Sequence, residues 1–263
     1  MRLDREKWLA RARDGEERAL LARALDRAEV VLAGGMIQVT GFYDPYRAGL
    51  IISSVKTVSG LIATPSGGYP GAERVRLAFH PVGIEPLEAD YDFAFISIKG
   101  NFKKAGVNYR DVQGAVMGLG LKREKFGDIW LTEGAAQVVA TGEVAPYLIA
   151  NLNRVGRVNV SVDFTSGEDF RPPEYPFKEI RATVSSLRLD AVAAACFGTS
   201  RSKIVRDIEA ERLSVNWYVC PDPSTPVGEG DVLSARGRGR ALVSGVKGPL
   251  KSGRIGVVIK RFI

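Results

Sequence analysis

Three basic residues near the carboxyl end stand where they do little for folding. Arg188, Arg201 and Lys203 fall in what read as the first turns of two successive helices. A cation at that end opposes the helix macrodipole, typically by a few tenths to about 1 kcal/mol. An anion docking against the helix starts would account for the placement. Ser200 reads as the cap of the second helix, whose free N–H groups make a phosphate site, with Arg201, Lys203 and Arg206 adding charge and donors around it. Asp190 can brace Arg188 or a neighbouring arginine by a charge-assisted bond. Farther on, Arg236, Arg238 and Arg240 alternate with glycines and read as a loosened strand able to approach a polyanion closely. From Arg181 to Ile263 there are 14 lysines and arginines against 7 acidic residues, whereas the other 180 residues balance at 23 each. The chemistry this suggests is the binding of RNA phosphate.

The elements that must position these groups form an α+β, multi-domain chain. The reading has an amino-terminal mixed α/β module (1–71), a second module (72–164), a polar proline-rich linker (165–176) and a third module (177–263). In the first, Asp14 with Glu17 reads as a capping box, and Asp44-Pro45 opens a helix through about Val58. The second alternates as β-β-α-β-β-α-β, with strands near Val75–Pro81, Tyr91–Lys99, Phe126–Thr132, Ala136–Ala140 and Arg157–Phe164. That order predicts a sandwich of the split βαβ kind. In the third, a strand leads into helix Leu187–Phe197, Gly198 stops it, and a second helix runs to about Glu211.

Composition narrows the function classes. The 263 residues are 45% hydrophobic and 25% charged, with net charge +7 and pI near 9.5. Such a balance points to a polyanionic partner. One histidine (His80) and two separated cysteines (Cys196, Cys220) are too few soft ligands for structural zinc, and no cofactor is expected. No run approaches the roughly 20 apolar residues that span a bilayer, and no secretory leader is visible. The expectation is a cytoplasmic monomer with no membrane partner. His80 reads as structural and Cys196 as a small core residue. Asp163-Phe164-Thr165-Ser166-Gly167 approaches a pseudouridine-synthase string but has the wrong neighbours and spacing, and reads as linker.

The pattern R-L-D…F-G-x-S-R-S-K…V-N…G-D…R-G-R-G, over about Phe177–Ile263, resembles the RNA-binding domain named after ribosomal small-subunit protein S4. The resemblance implies two helices packed on a small sheet, with Arg188, Arg201, Ser202, Lys203 and Arg206 as contacts to structured RNA. The chain departs from that pattern at Glu211, where glycine is usual after the second helix.

A second cluster, Lys122, Arg123 and Lys125, lies in Gly118–Ile129 (GLGLKREKFGDI). On physics alone these residues serve equally well as charges at a helix end before a strand. The string resembles the signature of the YlmH family of bacterial S4-domain proteins, as do Phe42–Pro45 (FYDP) and the module order. This implies that the middle module is an RRM-like RNA-binding domain, in which Phe93, Phe95 and Trp130 are either stacking platforms or core. It implies further a non-catalytic protein that binds rRNA, and peptidyl-tRNA, on the large ribosomal subunit during quality control of stalled translation. The alternatives are an RNA-modifying enzyme that captures RNA through the same domain, and a membrane-surface protein anchored by its basic module. Reversing the charge of Arg201 and Lys203 together is expected to abolish ribosome association while leaving stability unchanged or slightly raised.

Overall fold

The computed structural model describes residues 3–132, 134–168, 170, 176–250 and 253–262, and the chain divides into two compact units, 1–173 and 174–263. The first unit begins with helices α1 (Arg5–Leu9) and α2 (Gly15–Leu32), strand β1 (Gln38–Val39), helix α3 (Pro45–Val55) and strands β2 (Leu61–Ser66) and β3 (Arg76–Pro81). Asp14 accepts from the Glu17 amide at 2.8 Å and Asp44 from the Arg47 amide at 2.9 Å, so both helix starts lie where the local sequence puts them. Leu21, Leu25 and Ala28 recur on one face of α2 and pack with Ile51 and Phe79 in one core. The strands form an antiparallel sheet in the order β1-β3-β2. The strand expected at Val75–Pro81 therefore exists, but it completes the amino-terminal sheet and not the middle one. Sequence alternation does not encode a strand's partner. His80 is buried between Thr64 Oγ1 at 2.8 Å and the Pro81 carbonyl at 3.1 Å, a structural role.

The same unit continues with β4 (Phe93–Lys99), α4 (Phe102–Ala105), α5 (Tyr109–Gly118), β5 (Phe126–Leu131), β6 (Ala135–Thr141), α6 (Ala145–Asn151), a small hairpin of β7 (Arg154–Val155) and β8 (Val158–Asn159), and β9 (Ser161–Phe164). The four long strands pair antiparallel in the order β5-β6-β4-β9. With β3 removed, this is the split βαβ arrangement of RRM-like domains. Alternation along β4 sends Ala94, Ile96 and Ile98 to the core shared with Val112, Val116 and Leu148 of the helices. Phe93 and Phe95 point to the other face.

That second face is covered. Phe42 and Phe170 are buried against it beside Trp130, with Tyr69, Phe93 and Phe95 packed around them. Ring centroids lie 4.7 Å apart for Tyr69–Trp130 and Trp130–Phe170, and 4.8 Å for Phe95–Phe170. Each such pair adds roughly 0.5–1.5 kcal/mol beyond its buried area. Trp130 is thus core, and Phe93 and Phe95 pack partly buried against the same cluster. Asp163 and Phe164 belong to β9, inside the strand expected at Arg157–Phe164, and the expected linker is tied down at its start: the Thr165 amide donates to the Phe95 carbonyl at 2.9 Å, and Phe170 is buried. The part of that linker at 171–175 lies outside the described residues.

The second unit comprises β10 (Phe177–Val184), α7 (Leu189–Phe197), α8 (Arg201–Glu209), β11 (Leu213–Val215), β12 (Tyr218–Val219), β13 (Val232–Ala235), β14 (Gly239–Pro249) and β15 (Ile255–Phe262). Its six strands run β10-β15-β14-β13-β11-β12, all neighbours antiparallel. Leu189, Val192, Ala193 and Cys196 of α7 and Ile204 and Ile208 of α8 bury against Leu233, Val243 and Ile259 of the sheet. Burial pushes the Cys196 thiol up to about 12, as befits a core residue. Gly198 adopts φ +59° and ends α7.

Candidate nucleic-acid interface

In the second unit the loops and helix starts bring together residues far apart in sequence. Arg188 is the N-cap of α7, one position before the first turn in which it was expected. Asp190, two residues on, is buried at 5% side-chain exposure and accepts from Arg201 at 2.8 Å and from Arg188 at 3.4 Å. Burial by itself raises the Asp190 carboxyl, but hydrogen bonds from Arg201 and Arg188 outweigh it and leave the group below the ordinary carboxylate value. Both guanidiniums stay about half exposed, at 44% and 49%, so donors not spent on Asp190 face solvent.

The two helix starts differ. At α7 the Leu189 and Asp190 amides donate to the Thr225 and Pro223 carbonyls at 2.9 and 3.1 Å. This start is sealed by backbone and offers no phosphate site, contrary to the expectation for Arg188. At α8, Ser200 is the cap, taking the Lys203 amide at 3.4 Å. Among the described residues, no acceptor meets the amides of Arg201 and Ser202. Ser200, Arg201, Ser202, Lys203 and Arg206 are all exposed. An open α8 start with cations beside it can hold an anion.

The Arg236–Arg240 stretch is a hairpin turn and not a continuous strand: Ala235 pairs with Gly239, and Gly237 and Gly239 take φ +80° and +95°. Its arginines therefore diverge. Arg236 is exposed; Arg238 closes on Asp207 at 2.9 Å; Arg240 lies 5.4 Å from the centre of the Trp217 ring. Trp217 was not singled out from sequence. It follows Asn216 in the β11–β12 turn, and both have positive φ, +49° and +65°. Turns of this type favour Asn-Gly, so tryptophan there is a conformational departure that could have flagged it. Asn216 pins the turn, bonding Asp231 at 2.7 Å and the Val232 amide at 2.9 Å. The Val-Asn and Gly-Asp motif pairs are thus structural partners. Glu211 adopts φ +55°, with the Glu211 and Arg212 amides returning to the Ile208 and Asp207 carbonyls at 2.9 Å each, a Schellman cap built on a non-glycine residue.

In the first unit, Phe42–Pro45 and Lys122–Ile129, some 80 residues apart, dock on each other. The Phe42 amide donates to the Glu124 carbonyl at 2.7 Å. A Cβ on Gly127 would stand 2.8 Å from Phe42 Cε1, and one on Gly41 2.7 Å from the Glu124 carbonyl, which explains glycine at both positions. Arg74 joins the segments by donating to the Phe42 and Phe126 carbonyls at 2.8 and 3.0 Å. Asp128 accepts from the Tyr69 hydroxyl and from the Glu73 and Arg74 amides. Of the expected contact residues here, Arg123 turns inward to the Phe126 and Gly127 carbonyls at 2.6 and 3.0 Å, and Lys125 pairs with Glu143 at 2.5 Å. Lys122 remains exposed.

Comparison with known proteins agrees with this layout. Family models match over residues 16–84 (“YlmH, N-terminal”), 86–169 (“Putative RNA-binding domain in YlmH”) and 187–233 (“S4 domain”). The chain is 36% identical over 246 residues to the “Ribosome-associated protein quality control protein P2” of Bacillus subtilis (strain 168), covering 94% of this chain and 95% of that protein. Among solved structures, the “Cell division protein ylmH from Streptococcus pneumoniae” shares the fold, with TM-score 0.53, 23% identity, and coverage of 60% of this chain and 96% of that one. The chain belongs to the YlmH family and carries a carboxy-terminal S4 domain.

Proposed function

We propose that this protein binds RNA without altering it, docking on rRNA or peptidyl-tRNA of the large ribosomal subunit in the cytoplasm during quality control of stalled translation. The observation that carries the reading is the open start of α8 beside the Arg188–Asp190–Arg201 cluster. Asp190 orients both guanidiniums before any ligand arrives, which lowers the ordering cost of binding. Ser200, Ser202, Lys203 and the α8 amides then supply donors to a phosphate, with Arg206 adding charge one turn later. Of the hairpin arginines, Arg236 stays exposed and available, while Arg238 is held by Asp207 and Arg240 lies over Trp217. The relative's name supports the ribosomal setting, and the family description of the middle module supports a second RNA contact. If about five phosphates are neutralised, log K falls against log salt with a slope of roughly −3.5 to −4.5.

The test is sedimentation of the full chain with purified large subunits across a salt series, beside a Lys203→Glu/Arg206→Glu variant. Wild type co-sediments and the variant does not. Co-sedimentation of the variant at physiological salt would overturn the assignment of the face. Mass analysis of nucleosides from the recovered RNA is expected to show no change; a modified nucleoside would establish an enzyme.

A further inference from the structure

A cavity of about 340 Å³ opens in the first unit where α2 and the start of α3 meet the Lys122–Glu124 loop. Its volume is at the lower end of ordinary ligand sites, roughly 300–1,000 Å³. Five cations line it (Arg23, Arg47, Arg74, Lys122 and Arg123) against three carboxylates (Glu16, Asp44 and Glu124). Arg47 takes two of those carboxylates, Glu16 at 3.1 Å and Asp44 at 3.2 Å. Counted together, the lining carries two more positive than negative charges.

Two of these cations are partly buried. Arg74 and Arg123 are held by backbone carbonyls of Phe42, Phe126 and Gly127 and not by carboxylates. A carbonyl satisfies a guanidinium's donors but supplies only a dipole, so the net charge stays on the cavity wall. Burial and then the neighbouring Arg123 charge lower Arg74 to about 10, with Asp44 and Asp128 opposing the shift in part. Burial likewise lowers Arg123, against the nearby Tyr109 and Asp128. Two like charges side by side and partly out of water repel each other; Asp128 offsets this in part, and an anion in the cavity would offset it further. Arg23 and Lys122, by contrast, are exposed.

We propose that this cavity is an anion site that takes a phosphate group, carried by a free nucleotide or by an RNA chain, with Arg74 and Arg123 as fixed charges and Arg23 and Lys122 as exposed ones. It assigns Lys122 and Arg74 a ligand role beyond joining the docked segments, and it does not depend on the face at α8. Guanidinium forks match phosphate oxygens in pairs, which favours phosphate over a simple halide.

The experiment titrates the full chain at constant ionic strength with inorganic phosphate, adenosine monophosphate and a short single-stranded RNA. Wild type is compared with Arg23→Glu/Lys122→Glu, both exposed sites whose reversal leaves the core intact, and with Lys203→Glu. If a free nucleotide is the source, phosphate and the monophosphate raise the melting temperature of wild type, and the double variant binds them at least tenfold more weakly. If RNA is the source, the double variant's salt slope for RNA is shallower by about 1 to 2 units. Lys203→Glu is expected to lose RNA affinity while keeping the cavity's response, so failure at α8 and failure here are told apart. Identical responses of wild type and double variant to all three probes would overturn the proposal.

Discussion

Lys203→Glu separates folding from binding by moving them in opposite directions. Lys203 is the third residue of α8, exposed, with its amide on the Ser200 cap. Its cation opposes the helix dipole by roughly 0.3–1 kcal/mol, a penalty the substitution removes. Glutamate there also completes a Ser-x-x-Glu capping box, whose side chain can reach back to the Ser200 amide. Together these raise stability by about 0.5–1.5 kcal/mol, and at roughly 4–8 °C per kcal/mol for a domain of this size the second unit melts several degrees higher. RNA affinity falls at least tenfold, and the salt slope loses about one phosphate's share, 0.7–0.9. Thermal melts followed by far-ultraviolet dichroism, with filter binding from 50 to 300 mM salt, measure both. A lower melting temperature would refute the cap geometry, and an unchanged affinity would refute the phosphate site. Arg201→Glu behaves differently. It removes the 2.8 Å bond to Asp190 and sets a second carboxylate against a buried one. A loss of about 1–3 kcal/mol is expected. On the central values the paired reversal, expected from sequence to be neutral or stabilising, is now predicted to be destabilising by about 1 kcal/mol, the Arg201 loss exceeding the Lys203 gain.

Asp190 makes the second unit acid-sensitive. Its depressed carboxyl contributes fully above the unfolded value near 3.9 and loses its contribution as pH falls through the lower folded value. Stability should thus drop below about pH 4, and Arg201→Ala should flatten that limb; parallel curves for the two proteins would contradict the pairing. Glu211→Gly relieves a left-handed non-glycine residue at φ +55° and should add roughly 0.5–1 kcal/mol. The readout is a higher denaturant midpoint at constant m-value; a lower midpoint would speak against the cap. Gly127→Ala forces a Cβ to 2.8 Å from Phe42 and should cost the first unit about 1–3 kcal/mol while the second unit's transition stays in place. Equal stability would show that the docked segments can part freely.

Helix starts were legible because capping is local: Asp14, Asp44 and Ser200 each precede the helix they begin by one residue, and each accepts from an amide within three residues. The two-sided character of β4 was equally legible, since Ala94, Ile96 and Ile98 alternate with Phe93 and Phe95. The Asp190 brace could be anticipated from charge and proximity in sequence. What covers the aromatic face could not, because Phe42 and Phe170 arrive from beyond either end of the RRM-like fold. The sheet that β3 joins, the sealing of α7 by Pro223 and Thr225, the inward turn of Arg123 and the capture of Arg238 by Asp207 share that origin. Composition and spacing established a cationic carboxy-terminal module with its helix starts, since net charge and local caps are properties of a few neighbouring residues, and the motif resemblance gave its S4 type. Which of those cations stay available to a ligand was decided only by tertiary structure, because a guanidinium's partners are whatever carbonyl or carboxylate the fold brings within about 3 Å.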